Sequence, residues 1–350
     1  MNFASDNNAG LAPAILEAIQ RANTGFAIGY GEDDLTKRVE RQFSVLFERD
    51  VSVFLVSTGT AANALALAHM SPPWGAVFCH AESHIARDEC GAPEFFGGGL
   101  KLVGLPGTGC KVSADALEQA LTRVAWGGPH HAMPSVLSIT QATEAGTVYQ
   151  ADEIVGLTQR AHTHGIAVHM DGARFANALQ RLDLTPAEAT WKLGVDALSF
   201  GATKGGAMAA EAVVFFDPTR GAAMAERRKR SGHLVSKHRF VAAQIEAFLA
   251  GNLWLKLAQH ANRMADRLAE GLSAAGFYPV WPVEANLVFA LLPPSVHERL
   301  QAAGARYYVM QSESLPKGAK TAPEALLIRL VTSFRTTDAD IDRFVDCLWS

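Results

Sequence analysis

Val53-Phe54-Leu55-Val56-Ser57-Thr58-Gly59-Thr60-Ala61-Ala62-Asn63-Ala64-Leu65-Ala66-Leu67-Ala68-His69-Met70 passes from an unbroken apolar run, through a short polar turn with a glycine, into an alanine- and leucine-rich stretch of helical length. The apolar run does not alternate, so Val53 to Val56 reads as a strand buried on both faces. Ser57 to Thr60 reads as the turn, and Ala61 to Met70 as the helix that follows.

The same strand-then-helix rhythm extends outward. Ala76 to Cys79, Lys101 to Leu105, Ser135 to Thr140, Ala167 to Met170, Ala197 to Phe200 and Ala212 to Phe216 read as further strands. Ser113 to Trp126, with Ser113 as N-cap, and Ala151 to His164 read as helices. Non-alternating strands separated by helices predict an α/β fold around a mostly parallel seven-stranded sheet. Such sheets hold ligands beyond the carboxyl ends of their strands. Thr58 to Ala61, Asp171 and Lys204 all fall at such ends.

After about residue 230 the pattern changes. Val235 to Gly251 and Leu253 to Ala275 read as long helices. A strand at Asn286 to Leu291, a helix at Val296 to Ala302, strands at Tyr307 to Val309 and Leu326 to Val331, and a last helix from Asp338 follow. We therefore expect a large domain over 1–240, whose N-terminal segment contributes to the substrate site, and a smaller C-terminal α+β domain over 241–350. Ser312 to Pro323, rich in Ser, Pro, Gly and Lys, reads as an exposed loop.

The net charge of −4 gives no overall basic field, which argues against a nucleic-acid partner. No apolar run of membrane-spanning length interrupts the chain, and none opens it as a signal peptide. Cys79, Cys90, Cys110 and Cys347 are too widely spaced for a CxxC site, and are expected to be reduced thiols of a cytoplasmic protein. No HExxH occurs, and His162 and His164 would fall on different sides of a helix, so no metal site is expected.

Four features together point to pyridoxal phosphate, which needs a lysine for its aldehyde carbon, an acid for its ring nitrogen, backbone N–H groups for its phosphate, and a ring on its face. Lys204 follows a strand in Ser199-Phe200-Gly201-Ala202-Thr203-Lys204-Gly205-Gly206, where small residues leave room for a cofactor. Asp171 ends the strand Val168-His169-Met170, 33 residues before Lys204, and a carboxylate buried there needs a cation; the alternative is a helix N-cap. Arg174 is placed to touch cofactor or substrate, or to pair with Asp171. Gly59, Thr60 and Ala61 open a helix whose unpaired N–H groups favour a phosphate. His84 is a candidate for stacking and proton handling, and His131 for a second base. Arg329 interrupts the apolar run Leu327-Ile328-Arg329-Leu330-Val331, where either a substrate carboxylate or an internal acid has to pair with it.

Further markers appear in order along nearly the whole chain. They are Phe3-Ala4-Ser5-Asp6-Asn7, Tyr30-Gly31-Glu32-Asp33-Asp34-Leu35-Thr36, Thr58-Gly59-Thr60-Ala61-Ala62-Asn63, Glu82-Ser83-His84-Ile85 with Asp88-Glu89, Thr140-Gln141-Ala142-Thr143-Glu144-Ala145-Gly146-Thr147-Val148-Tyr149, His169-Met170-Asp171-Gly172-Ala173-Arg174, Thr203-Lys204 and Arg329-Leu330-Val331-Thr332. In this order they resemble the low-specificity L-threonine aldolases, a branch of the fold-type I pyridoxal-phosphate enzymes. The resemblance implies that Lys204 carries the cofactor, Asp171 faces its ring nitrogen with Arg174 beside it, and Gly59, Thr60 and Ala61 hold its phosphate. It also implies that His84 stacks on the ring, Ser5 and Arg329 bind the substrate carboxylate, and His131 lies near the substrate hydroxyl. Tyr30 and Arg227-Arg228-Lys229-Arg230 look like parts that reach a neighbouring subunit's site, in a homotetramer or homodimer with shared sites. For the basic run a solvated helix face is the alternative. Gly205 after Lys204, and Ser333-Phe334-Arg335 in place of Thr-His-x-Asp, depart from the pattern of some relatives.

The resemblance implies reversible cleavage of L-threonine, L-allo-threonine and related β-hydroxy-α-amino acids, phenylserine among them, to glycine and an aldehyde. His84, His131, or a water held by either is the candidate base. The rival readings are another reaction on the same scaffold (β-elimination, transamination or hydroxymethyl transfer) and a cofactor-binding regulatory module. The full set of lysine, aspartate, arginine and histidine counts against the second.

Overall fold

The computed structural model describes residues 1–123, 126, 128–311, 315 and 324–349. The strands in chain order are β1 Ser52–Val56, β2 Gly75–His80, β3 Lys101–Leu105, the small hairpin β4 Gly107–Thr108 and β5 Lys111–Val112, β6 Met133–Thr140, β7 Ala167–Gly172, β8 Ala197–Gly201, β9 Glu211–Phe215, β10 Leu287–Leu292, β11 Tyr308–Val309 and β12 Leu326–Val331. Seven of them form one sheet in the order β1-β9-β8-β7-β6-β2-β3. β2 runs parallel to β3 and β6, β6 to β7, and β7 to β8, while β9 lies antiparallel to β1 and β8. The expected mostly parallel sheet of seven strands is therefore present. Its central strands are buried along their length, which is why their sequences do not alternate.

The register sets the site. Thr140 lies opposite Asp171, and Asp171 opposite Ser199, so the carboxyl ends of β6, β7 and β8 are level. Close approach of these ends demands glycine. A Cβ on Gly201 would sit 2.7 Å from the Ala173 backbone, and one on Gly172 2.8 Å from the Ser199 carbonyl oxygen. Below the Lys204 turn, Phe200 packs edge-on against Phe43 at 5.2 Å and at a tilt against Trp254 at 5.4 Å. A Cβ on Gly205 would lie 2.7 Å from the Phe248 ring, so the departure at this position has a packing cause.

The helix after β1 begins at Gly59 rather than Ala61, because the Thr58 side chain accepts from the Ala61 N–H at 3.1 Å and caps it; the helices Pro13–Ala22 and Asp34–Leu46 precede it. The helix expected over Ser113 to Trp126 is described as Ala114–Arg123, and the Ser113 hydroxyl does cap it by accepting from Ala116 N–H at 3.1 Å. Residues 124 and 125 lie outside the described residues, as does the Ser312 to Pro323 segment apart from Leu315.

Beyond the large sheet, β10, β12 and β11 form an antiparallel sheet in that order. It packs with the helices Leu253–Ala274, Pro294–Ala302 and Asp338–Trp349. The hydrophobic core divides within the helix Leu253–Ala274. Trp254 and Ala258 belong to the core of the large sheet, and Met264, Leu268 and Leu272 to that of the small one. Val241, Ile245 and Phe248 of the helix Arg239–Leu249 also pack with the large sheet. The N-terminal segment threads the small sheet. Phe3 N–H donates to Arg306 O, Val331 N–H donates to Phe3 O, and the Phe3 ring meets Phe344 edge-on at 5.3 Å. This anchoring carries Asp6 to the seam between the two cores. Ser333-Phe334-Arg335 serves the same segment, since Arg335 donates to the Leu11 carbonyl at 2.9 Å.

Candidate active site

A cavity of about 480 Å³ opens beyond the carboxyl ends of β1, β6, β7 and β8. Gly59, Thr60, His84, Asp171, Arg174 and Lys204 all line it. These residues are far apart in the chain. The sheet brings them together, as parallel sheets do at this edge.

Lys204 projects from a tight turn closed by bonds from Gly205 and Ala207 N–H to Ala202 O, and from Gly206 N–H to Thr203 O. The Glu211 carboxylate fastens this turn by accepting from Ala202 N–H at 2.9 Å. Burial pushes the Glu211 carboxyl up to about 7, although hydrogen bonds from Thr203 and Ala202 and the charge of Lys204 pull the other way.

Asp171 is buried at the end of β7. Oδ1 accepts from Ala173 N–H at 3.0 Å and Oδ2 from the Asn63 amide at 2.8 Å. Both donors are neutral, so the negative charge remains for a cation in the cavity. Asn63 is a buried polar residue inside an otherwise apolar helix, and such groups are paired. Its amide also donates to Glu89 Oε1 at 2.9 Å, and the same oxygen pairs with His84 Nδ1 at 2.9 Å. Asp171, Asn63, Glu89 and His84 thus form one chain of contacts. The bond to Glu89 raises the His84 pKa against its burial, and it turns Nδ1–H away, leaving Nε2 for the cavity.

Arg174 resolves differently from its expected alternative. It pairs with Asp6, not Asp171: Nε donates to Oδ2 at 2.8 Å and Nη2 to Oδ1 at 3.1 Å. Asn286 adds a third donor to Asp6 at 3.1 Å. Burial alone would raise the Asp6 pKa, but the charges of Arg174 and Lys204 together with these bonds hold it below 3.8.

At the other end of the cavity, Gly59 and Thr60 open the helix Gly59–Met70. A Cβ on Gly59 would meet nothing within 4 Å, so open space stands before the helix N-terminus. Ala61 N–H is already engaged by Thr58, and Ala61 does not line the cavity.

Arg329 sits on β12 beside the cavity, within electrostatic reach of Arg174 and Asp6, its guanidinium 5.2 Å from the centroid of the Tyr308 ring. Burial, and then the charge of Arg174, lower its pKa. Its Nε is shut from solvent and has no partner. No internal acid bonds it there, so the salt-bridge alternative does not account for that nitrogen.

Besides Ala61 and Arg329, three further expected site residues lie outside the lining of their own chain's cavity. The Ser5 hydroxyl caps the turn Asp6–Asn8 by accepting from Asn7 N–H at 3.1 Å. Tyr30 is exposed, with the Lys229 ammonium 4.5 Å from its ring centroid. His131 is exposed just before β6, at the amino end of that strand, whereas Asp171 and Lys204 stand at carboxyl ends. Eight residues of strand at roughly 3.3 Å each separate the two ends by about 25 Å. His131 therefore cannot act in its own chain's cavity. The basic run is not a uniform solvated face either. Arg228 is buried and donates to Leu55 O at 3.2 Å, while Arg227 and Arg230 line a second surface cavity with Leu65, Phe95 and Phe96. Asn63, Glu89, Glu144, Glu211 and Asp6 line or support the main cavity without having been singled out for a role from the sequence. The available signal was a polar or acidic residue amid apolar neighbours, clearest at Asn63.

The model of the beta-eliminating lyase family matches residues 2–293. A low-specificity L-threonine aldolase of Pseudomonas aeruginosa is 42% identical over 89% of this chain and 90% of its own, and one of a Pseudomonas species is 42% identical over 87% and 88%. A solved threonine aldolase of Leishmania major superposes with a TM-score of 0.92 at 30% identity, over 99% of this chain and 98% of that one. A serine palmitoyltransferase with pyridoxal phosphate shares the fold, with a TM-score of 0.70 at 17% identity. The chain belongs to the beta-eliminating lyase family, among the low-specificity L-threonine aldolases.

Proposed function

We propose that this chain cleaves L-threonine and related β-hydroxy-α-amino acids, reversibly, to glycine and an aldehyde, with pyridoxal phosphate as cofactor. The observation that carries this reading is the shared cavity of Lys204 and Asp171, with an open helix N-terminus at one end and the unpaired Arg329 guanidinium beside it. These residues fit the cofactor. Lys204 would hold its aldehyde carbon, Asp171 its ring nitrogen, the Gly59 and Thr60 N–H groups its phosphate, and His84 its ring face. Bound there, the cofactor supplies an electron sink for the pair released when the Cα–Cβ bond breaks.

The rest of the chemistry belongs to the chain's own side chains. Arg329, with Arg174 nearby, orients the substrate carboxylate and so selects which bond at Cα is weakened. Asp6 holds Arg174 in place. Glu89 fixes the His84 ring through Nδ1, so that Nε2 is the nitrogen presented to the cavity. Homotetramers or homodimers with shared sites are supported by the exposed large apolar side chains Phe26, Ile28 and Tyr30. The buried Cys79 and the other free thiols support a cytoplasmic location, and no helix among the described residues is long and apolar enough to cross a membrane.

L-threonine incubated with the holoenzyme should yield equal amounts of glycine and acetaldehyde with no folate or keto acid added. Ammonia and a keto acid in their place would identify β-elimination and end this reading. Arg329→Ala should raise KM by about 10- to 100-fold, the value of about 1.5–3 kcal/mol for a charged hydrogen bond, with a smaller change in kcat. An unchanged KM would remove Arg329 from carboxylate binding.

A further inference from the structure

Glu144 lies on the segment that leaves β6 at the cavity edge and lines the cavity with His84, Asp171 and Lys204. Its two oxygens are treated differently. Oε1 accepts from His84 N–H at 2.8 Å and from the Thr140 hydroxyl at 3.0 Å. Oε2 is shut from solvent and has no partner. Its charge is coupled to the acids Asp171, Cys79, Cys110 and Tyr149, the charged groups Lys204, Arg174, Asp88 and Glu89 line the same cavity, and the contact with His84 is to its backbone. Two donors on Oε1 leave Oε2 as the oxygen that carries the proton when the group is neutral.

The other buried carboxyls are committed. Glu89 faces the His84 imidazole and the Asn63 amide, and Glu211 fastens the Lys204 turn. His131 is absent from its own chain's cavity, and His84 is raised by its bond to Glu89 and so tends to keep its proton. Burial pushes Glu144 up to about 7, where a group both gives and takes protons readily.

We propose that Glu144 is a further acid–base residue of this site, exchanging a proton with the β-oxygen of the substrate as the Cα–Cβ bond breaks or forms. In cleavage the β O–H bond breaks and its proton goes to Glu144. The oxygen's electron pair forms the carbonyl, the Cα–Cβ pair stays with Cα, and a proton delivered to Cα completes glycine. In synthesis Glu144 returns the proton to the aldehyde oxygen. The assignment rests on the aldolase reading above.

Glu144→Gln keeps the volume and an acceptor for His84 N–H and Thr140, and removes the titration. For the wild-type holoenzyme, kcat/KM for L-threonine cleavage should rise as pH climbs through about 7, because the carboxylate form accepts the proton. E144Q should lose that limb and fall by about 10²–10⁴-fold, with cofactor absorbance and stoichiometry retained. Infrared difference spectra of the holoenzyme across the same pH interval should show a protonated-carboxyl band with one component from Glu144, which E144Q removes, and one from Glu211, which E211Q removes. Should E144Q fail to load cofactor, E144D carries the test, and must keep both the band and the limb. A wild type that loads cofactor yet makes no glycine refutes the aldolase reading. A working wild type whose limb and turnover survive in E144Q, or whose protonated-carboxyl band is unchanged by E144Q, overturns the role of Glu144.

Discussion

Lys204→Ala should abolish the absorption band of covalently bound cofactor and lower kcat for L-threonine cleavage by about 10⁴-fold, the upper end of what one proton-transferring group contributes. The lysine is the only amine named among the cavity-lining residues, and its turn is fixed from three sides: by its own backbone bonds, by Glu211 through Ala202 N–H, and by the Phe248 ring beneath Gly205. An alanine there removes the amine and leaves the turn standing, because none of those contacts uses the Lys204 side chain. The variant should therefore fold and still take up pyridoxal phosphate non-covalently, held at Asp171 and at the helix that opens with Gly59. A retained covalent band, or turnover within tenfold of wild type, would place the reactive amine elsewhere.

Arg174→Ala should destabilise the folded protein by about 3–5 kcal/mol, as measured by the midpoint of chemical denaturation. Asp6 is 3% exposed, and Arg174 supplies two of its hydrogen bonds and its nearest opposite charge. Removing the arginine leaves an uncompensated carboxylate in the seam between the two hydrophobic cores. Asp6→Asn in the same background should recover most of the loss, since the Asn286 amide and the surrounding volume remain. Additive losses from the two substitutions would deny the coupling. The pH dependence has a definite direction. Because the folded-state pKa of Asp6 is depressed, its stabilising contribution is present above about 3.8 and is lost as pH falls through the lower folded value. Asp6→Asn should flatten that part of the acid limb.

The order of strands and helices was legible in the sequence because central strands buried on both faces do not alternate, as the burial along β2, β7 and β9 records. Lys204, Asp171 and the Gly59 turn could be singled out because each stands where a strand ends. The start of the helix after β1 was misplaced by two residues, since capping by Thr58 is a local bond that hydrophobic periodicity does not register. The pairing of Arg174 escaped for a different reason. Its partner is 168 residues away, and the nearer Asp171 offered an equally plausible acid. His131 was a candidate as a histidine and through the resemblance, although its place just before the strand Ser135 to Thr140 already set it at the amino end.

What the sequence determined by itself was the α/β class, the strand-end positions of the reactive side chains and the family to which they belong, because all three follow from periodicity and from short segments read in order. Tertiary structure alone decided which of those side chains share a cavity, that Asp6 rather than Asp171 neutralises Arg174, and that Glu144 holds one buried oxygen without a partner. Those outcomes depend on register between β6, β7 and β8, and on contacts across a hundred residues or more, and such distances are set only when the sheet closes.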